Sequence, residues 1–146
     1  MRVIVDGDGC PDKDGIVSLS KRYDKDMYVF IDYAHVLESD DYHIVACDVG
    51  HDSVDMTILN FVETGDLVIT QDYGLAGLLL SKKVIVLHVS GKVIDENNIN
   101  TCLSTRYLHV QIRQAGQRIK GPSKRTVKDR QFFLEQVEKL LKKAQI

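Results

Sequence analysis

Short, almost wholly apolar runs recur along the chain, and each is followed by a stretch with the residue spacing of a helix. Runs that are apolar at every position fit strands that are buried on both faces. The alternation of such strands with helices predicts a parallel sheet covered by helices on both sides. Five strands are predicted, at residues 2–5, 27–31, 43–47, 66–70 and 84–88. The predicted helices cover residues 12–23, 53–63, 73–82, 97–114 and 127–143.

A chain of 146 residues fits one domain with one hydrophobic core. We therefore expect a single α/β domain over 1–146, closed by an amphipathic helix at 126–143. Thr126 and Asp129 resemble a capping box at the start of that helix. The first residues are not expected to form a signal peptide, because their apolar run is three residues long and then meets Asp6.

The cysteine content and the hydropathy of the chain predict a cytoplasmic protein. The three Cys residues are an odd number and have no C-x-x-C spacing, which argues against a disulfide framework and against a Cys-type zinc site. A reducing compartment is the simplest setting for them. No stretch approaches the length of a membrane span, so no membrane partner is expected.

Charge is distributed unevenly along the chain. Residues 1–100 contain 8 Lys/Arg and 18 Asp/Glu, a net charge of −10, whereas residues 101–146 contain 11 Lys/Arg and 3 Asp/Glu, a net charge of +8. A basic segment beside an acidic body is consistent with phosphate binding next to a metal site, and equally with a solvated basic helix packed on an acidic domain.

Acidic residues cluster just after the predicted strands. Ligands of open parallel sheets bind outside the carboxyl ends of the strands, which is where these residues stand. Several carboxylates brought together repel one another unless some are protonated or a cation lies between them. Oxygen ligands of this kind suit Mg²⁺ or Mn²⁺. The residues concerned are Asp6 and Asp8 after the first strand, Asp48, Asp52 and Asp55 after the third, and Asp72 after the fourth.

Each of these residues also has a simpler role available to it. Asp72 and Asp52 stand where a helix begins, and Asp is a favoured N-cap. Asp6 could be an ordinary turn residue. Asp55 is different, because it shares the predicted inward face of its helix with Ile58, and a carboxylate there needs a partner.

Other reactive residues are excluded from the predicted site. Asp66 opens a strand and so lies at the opposite edge of the sheet. Cys10 adjoins an acidic turn, which would raise the pKa of its thiol, so it is not predicted to be a nucleophile. The five His residues show no zinc spacing, and a structural or surface role is expected for each.

Several segments together resemble the bacterial YaiI/YqxD family. They are V-D-G-D-G-C-P (5–11), G-D-L-V-I-T-Q-D-Y-G-L-A (65–76), N-I-N (98–100), Arg106, and R-Q-A-G-Q-R-I-K-G-P-S-K-R-T-V-K-D-R (113–130). The resemblance runs from residue 3 to about residue 141. That family is grouped with PIN-like domains, which are typically Mg²⁺- or Mn²⁺-dependent ribonucleases. The resemblance therefore implies a three-layer, Rossmann-like PIN fold and a nuclease-like acidic site.

The resemblance also implies which residues would act. Asp6, Asp55 and Asp72 match the PIN aspartates, and Asp8 and Asp52 belong to the YaiI/YqxD pattern itself, in which Gly7 and Gly9 of this chain more usually are alanines. The predicted catalytic residues are Asp6, Asp8, Asp55 and Asp72, and the predicted ligands of Mg²⁺ or Mn²⁺ are Asp6, Asp52, Asp55 and Asp72. Thr70 could donate a hydrogen bond near the strand end.

The predicted substrate is a phosphodiester in nucleic acid, and more specifically in RNA. Cations would hold its phosphate backbone, although a merely exposed basic loop and helix is the alternative. The predicted nucleic-acid-binding residues are Arg106, Arg113, Arg118, Lys120, Lys124 and Arg125.

Two other functions remain open. A non-catalytic module that binds RNA or protein could keep the acidic pocket without turnover. A phosphatase is the second alternative, because Asp6 and Asp8 form the D-x-D motif of haloacid dehalogenases, in which the first Asp attacks phosphorus. In that superfamily a later G-D motif follows a strand, whereas Gly65 and Asp66 precede one. A homodimer is left open.

Overall fold

The computed structural model describes residues 1–7, 10–32, 39–47, 51–116 and 124–144, and for residues 51 and 52 it describes the backbone only. Six strands lie in this part of the chain: β1 Val3–Asp6, β2 Met27–Asp32, β3 His43–Cys47, β4 Leu67–Thr70, β5 Ile85–His88 and β6 Val93–Ile94. The helices there are α1 Lys13–Arg22, α2 His51–Phe61, α3 Tyr73–Leu80, α4 Ile99–Gln114 and α5 Val127–Lys143.

The strands form one mixed sheet in the order β3-β2-β1-β4-β5-β6. The first five are parallel to their neighbours, and β6 is antiparallel to β5. This confirms the predicted α/β fold and its parallel sheet, with one strand more than predicted. The additional strand has only two residues, which is too short to give a period in the sequence, and it follows a turn in which Gly91 has a φ of +96°.

Alternate residues of the central strands enter two separate cores. Val3 and Val5 of β1 point to one side, where α1 and α5 contribute Ile16 and Phe133. Ile4 points to the other side, which α2 and α3 cover. Because both faces are covered, the strands are apolar at every position, as the sequence pattern indicated.

The last helix begins at the predicted capping box. The Thr126 hydroxyl accepts a hydrogen bond from the Asp129 amide at 3.1 Å, and the Asp129 carboxylate accepts one from the Thr126 amide at 2.9 Å. Val137 and Leu141 then bury the apolar face of α5. No helix within the described ranges is long and apolar enough to cross a bilayer.

Candidate functional site

The connections of the chain diverge at the strand pair β1 and β4. From β1 the chain moves outward through β2 to β3, then returns to the other side of β1 and continues as β4 and β5. Helices that follow neighbouring strands in opposite directions leave a crevice outside the carboxyl ends of those strands, and this is where open α/β sheets bind ligands. The site is therefore to be sought where β1 and β4 end.

Asp6 and Asp72 are joined at this point by the hydroxyl group of Thr70. Thr70 is 1% exposed, and its Oγ1 donates to Oδ2 of Asp6 at 2.9 Å. The same oxygen accepts a hydrogen bond from the backbone amide of Asp72 at 3.0 Å. The predicted hydrogen bond of Thr70 is thus confirmed. Together with the bond from the Asp72 amide, it links two predicted site residues that come from adjacent strands.

Asp72 is also the N-cap of α3, as its simpler role predicted. Its Oδ1 accepts hydrogen bonds from the amides of Gly74 at 2.8 Å and Leu75 at 3.3 Å. Nη1 of Arg106 lies 3.5 Å from the same oxygen. All the contacts that the described residues make with this carboxylate use Oδ1.

Asp55 lies in the first half of α2, which starts after β3 and therefore at the same edge of the sheet. Val54 and Ile58 are buried against the sheet, whereas Asp55 is half-buried. The inward face of α2 is thus centred on Val54 and Ile58, and Asp55 stands at its margin.

Three further predicted acids lie outside the side chains that the structure describes. Asp8 and Asp48 lie outside the described residues, as does the side chain of Asp52. Among the side chains that are described, no three of Asp, Glu, His or Cys come close enough together to hold a metal ion. The hard oxygen donors of Asp6 and Asp72 suit Mg²⁺, which uses few carboxylates and keeps several waters, so the described residues fit part of such a site.

Asp32 is a further acidic residue at this edge, and it was not among the predicted site residues. It ends β2, and Phe30 of that strand pairs with Asp6. Residues two apart on a strand share a face, so Asp32 lies on the same side of the sheet as Asp6, and it is half-buried. An Asp directly after the apolar run 27–31 was the available signal, because the same signal identified Asp6.

Helix α4 extends beyond the carboxyl edge of the sheet, the edge at which the parallel strands β1 to β5 end. A Cβ built on Gly77 would lie 3.7 Å from Ile99, and one built on Gly74 would lie 2.9 Å from Arg106. The two helices therefore run in opposite directions, and Arg106 is level with the start of α3. The part of α4 after Arg106 continues past the edge, and every residue from Ser104 to Gln114 is exposed.

The predicted phosphate-binding cations lie in different surroundings. Arg106 contacts Asp72, and Arg113 is exposed on the projecting part of α4. Lys124 is exposed, whereas Arg125 donates to Oδ2 of Asp12 at 2.5 Å and to the Val89 carbonyl at 2.9 Å. Arg125 therefore has a structural role that competes with the predicted phosphate contact. Two further predicted residues, Arg118 and Lys120, lie outside the described residues.

Two residues that were excluded from the site are indeed unsuited to it. Asp66 lies at the opposite end of β4 and forms an ion pair with Arg2 at 2.7 Å. Burial raises the pKa of the Cys10 thiol to about 11, and a hydrogen bond with the backbone of Asp12 only partly offsets that rise. Cys10 is therefore a protonated, 4% exposed thiol near neutral pH and not a nucleophile.

The fold and the site define a class: an α/β protein with a doubly covered, mostly parallel sheet and an aspartate at or just after the end of each of the two strands, β1 and β4, where its connections diverge. Residues 4–143 match the family model described as "Uncharacterized BCR, YaiI/YqxD family". The chain belongs to the YaiI/YqxD family. This confirms the family resemblance in the sequence.

Curated relatives extend over nearly the whole chain. A UPF0178 protein of Clostridium kluyveri is 36% identical over 141 residues, which cover 97% of this chain and 93% of the relative. A UPF0178 protein of Natranaerobius thermophilus is 41% identical over 133 residues, or 90% of each chain. The UPF0178 protein SSP2038 of Staphylococcus saprophyticus is 41% identical over 131 residues, which cover 88% of this chain and 85% of the relative. No solved structure matches the chain significantly.

Proposed function

We propose that this protein is a metal-dependent phosphodiesterase that acts on nucleic acid, with its site at the carboxyl ends of β1 and β4. The observation that carries the proposal is the hydroxyl of Thr70, which ties Asp6 to the backbone of Asp72 at the switch point of the sheet. A buried hydroxyl that holds two carboxylate-bearing segments together favours a shared ligand over two unrelated surface residues.

Asp6, Asp55 and Asp72 would hold Mg²⁺ or Mn²⁺, with Asp8 or Asp52 completing the set or orienting the attacking water. Asp32 joins this group because of its place at the end of β2. When bound, such an ion polarises a phosphate oxygen and lowers the pKa of a bound water. Thr70 would keep the Asp6 carboxylate in one orientation, because its only proton is donated to that group.

The projecting part of α4 supplies the surface for a phosphate chain. Helix α4 contains Arg106, His109 and Arg113 and no Asp or Glu. Residues at positions i, i+4, i+7, i+11 and i+14 share a helix face, so Arg113 continues the stripe of Ile99, Leu103 and Arg106 that faces α3. Arg106 and Arg113 are about 10 Å apart along the helix axis, so they would contact different phosphates of a bound strand.

The test is Mn²⁺ binding by calorimetry together with cleavage of end-labelled, single-stranded RNA in Mn²⁺ or Mg²⁺. Asp72→Asn removes the charge but keeps a good N-cap, and Asp6→Asn keeps an acceptor for Thr70, so both variants should fold. We expect both to lose Mn²⁺ binding and cleavage. Glu63→Gln is the matched control, because Glu63 is 80% exposed and precedes β4 at the opposite edge.

A binding module without turnover is the second candidate, and one observation favours it. The projecting part of α4 exposes large apolar side chains, which on a surface mark interaction sites. They are Tyr107 at 62%, Leu108 at 55%, Val110 at 41% and Ile112 at 37% exposure. RNA binding that survives Asp6→Asn and Asp72→Asn, without cleavage by the parent protein in Mn²⁺, would support the module and exclude the nuclease.

A phosphatase that uses Asp6 makes a different prediction. It would form an acyl phosphate on Asp6 during hydrolysis of a small phosphate ester, whereas a metal-dependent nuclease would form no covalent intermediate. Acid quenching followed by mass spectrometry of the peptide that contains Asp6 separates the two functions.

A further inference from the structure

His88 stands beside the candidate site in the same row of the sheet. Thr70 of β4 pairs with His88 of β5. On the other side of β4, Ile69 pairs with Val5 of β1, so the next residues, Thr70 and Asp6, are also level with each other. Val86 lies in the core beneath α2 and α3, so His88, two residues later, points to that same face. Asp6, Thr70 and His88 therefore lie side by side at the ends of three adjacent strands.

The His88 ring is held by groups on two different segments. Its Nδ1 accepts a hydrogen bond from the Ser90 amide at 3.1 Å and lies 2.8 Å from the Ser90 hydroxyl. Because Nδ1 is an acceptor here, the proton of the neutral ring is assigned to Nε2. Burial lowers the pKa of His88, so the ring is neutral at pH 7, and a hydrogen bond to the backbone of Gln71 partly offsets that shift.

The other segment in contact with His88 is the turn that carries Asp72. The ring of Tyr73 stacks on the His88 ring with centroids 4.8 Å apart and planes inclined by 9°. His88 thus contacts Gln71 and Tyr73, the two residues that flank Asp72, while its Nδ1 is fixed to the turn between β5 and β6. The segment Thr70–Tyr73 is held from one side by Asp6 through Thr70, and from the other side by His88.

We propose that His88 is a positioning residue, whose ring holds the segment Thr70–Tyr73 so that the Asp72 carboxylate keeps its place at the start of α3, outside the end of β4. This inference rests on the proposed function, because it assigns to His88 the support of a carboxylate proposed to hold the metal. His88 touches neither the ion nor the phosphate in this proposal. Groups that hydrogen-bond to metal ligands without touching the ion typically change metal affinity by about ten- to hundredfold when they are removed, and we take this range for His88.

Three substitutions separate the contacts of the ring. His88→Gln can place an amide donor near the position of Nε2, toward Gln71. His88→Asn can place an amide oxygen near the position of Nδ1, toward Ser90. His88→Phe keeps an aromatic ring against Tyr73 and makes neither hydrogen bond, so it controls for lost packing.

The first measurement is Mn²⁺ affinity by calorimetry. We expect His88→Phe and His88→Asn to weaken Mn²⁺ binding by about ten- to hundredfold, and His88→Gln to stay near the parent value. An affinity restored by Asn and not by Gln would overturn the proposal, because the ring would then serve only the turn at Ser90. Unchanged affinity in all three variants would overturn it as well.

The second measurement does not depend on a metal. Hydrogen exchange at the Gly74 and Leu75 amides reports whether Asp72 still caps α3, because both amides donate to its Oδ1. We expect faster exchange in His88→Phe than in His88→Gln, and equal rates would overturn the positioning role. If the parent protein binds no Mn²⁺, the proposed function fails, while the exchange rates still decide whether His88 positions Asp72.

Discussion

Nη1 of Arg106 lies 3.5 Å from Oδ1 of Asp72, and this contact depends on residue 74 being a glycine. A Cβ on Gly74 would lie 2.9 Å from that guanidinium nitrogen and 3.1 Å from the carboxylate oxygen. Gly74 is therefore the position at which α3 lets a cation of α4 reach the carboxyl edge. This ion pair is about half exposed to solvent, so it contributes little to the free energy of unfolding. Its effect is to place the Arg106 cation beside Asp72.

Gly74→Ala should separate the placement of Arg106 from its charge. The new methyl group would push the guanidinium away from Asp72, while Ala in a helix is favoured over Gly by about 1 kcal/mol. We expect weaker binding of labelled single-stranded RNA, a shallower salt dependence by about one ion, and no loss of thermal stability. Fluorescence anisotropy over a range of salt concentrations measures the first two.

Gly77→Ala is the matched control for this substitution. A Cβ there would meet Ile99 and Leu103 at 3.7–3.9 Å, which is ordinary contact. Its RNA affinity should equal that of the parent protein. If Gly74→Ala also binds RNA as the parent does, Arg106 has no part in binding at this edge.

All the helices and strands of this fold except β6 could be predicted, because each of them has a local signal in the sequence. Five strands are apolar runs, and the start of α5 is set by two residues three apart, Thr126 and Asp129. The rule that open parallel sheets bind ligands outside the carboxyl ends of their strands then indicated Asp6 and Asp72. By contrast, the pairing of Arg125 with Asp12 joins residues 113 positions apart, and nothing in the basic loop sequence distinguishes a buried cation from an exposed one.

The residues at the carboxyl ends of the strands were only partly predicted, for a similar reason. Asp32 carried the same signal as Asp6, but whether a strand end lies near a site depends on the strand order, and β2 adjoins β1 only in the folded sheet. His88 had no distinguishing spacing, and its contacts with Ser90 and Tyr73 appear only when β5 is placed beside β4.

Thr70→Val should damage both the stability of the fold and the site. The substitution leaves the Asp72 amide and the Asp6 carboxylate without the hydroxyl that joins them, at a position that is 1% exposed. A buried polar group that loses its partner costs about 1–3 kcal/mol, which urea unfolding would measure. Mn²⁺ affinity should fall in the same variant, because Asp6 and Asp72 are no longer held together.

Thr70→Ser keeps the hydroxyl and removes only a methyl group, at a cost of about 0.8 kcal/mol. Its Mn²⁺ affinity should stay close to that of the parent protein. Equal losses of affinity in the Val and Ser variants would mean that packing at residue 70, and not the hydroxyl, supports the site.

The main effect of Arg125→Ala should be a lower free energy of unfolding, and not weaker binding of nucleic acid. The guanidinium pairs with Asp12, whose side chain is 8% exposed, and it lies over the Phe133 ring with its central carbon 5.4 Å from the ring centroid. Removing one partner of a buried ion pair costs about 3–5 kcal/mol, and the quarter exposure of Arg125 places the expected loss at or below about 3 kcal/mol. Chemical denaturation at pH 7 measures this loss.

Lys124→Ala provides the comparison, since Lys124 precedes Arg125 and is exposed. Its free energy of unfolding should change by no more than about 0.5 kcal/mol. A stable Arg125→Ala variant with weakened RNA binding would instead support the phosphate contact predicted for Arg125.

Asp66→Asn should change how stability depends on pH. Burial raises the pKa of Asp66, but hydrogen bonds from the Arg2 side chain and from the Glu63 and Arg2 amides outweigh it, so the pKa lies below its ordinary value. A carboxyl group with a depressed folded pKa stabilises the protein above its unfolded pKa of about 3.9. That contribution is lost as the pH falls through the folded pKa.

The parent protein should therefore exceed Asp66→Asn in stability at pH 7, and the difference should shrink as the pH falls below about 4. Urea unfolding of both proteins at several pH values measures this difference. Glu63→Gln serves as the control, because its 80% exposed side chain lies 4.0 Å from Arg2 and should leave the pH profile almost unchanged. A constant difference between parent and Asp66→Asn over the acid range would contradict the depressed pKa, and the ion pair of Asp66 with Arg2 would then add nothing to the acid stability of the fold.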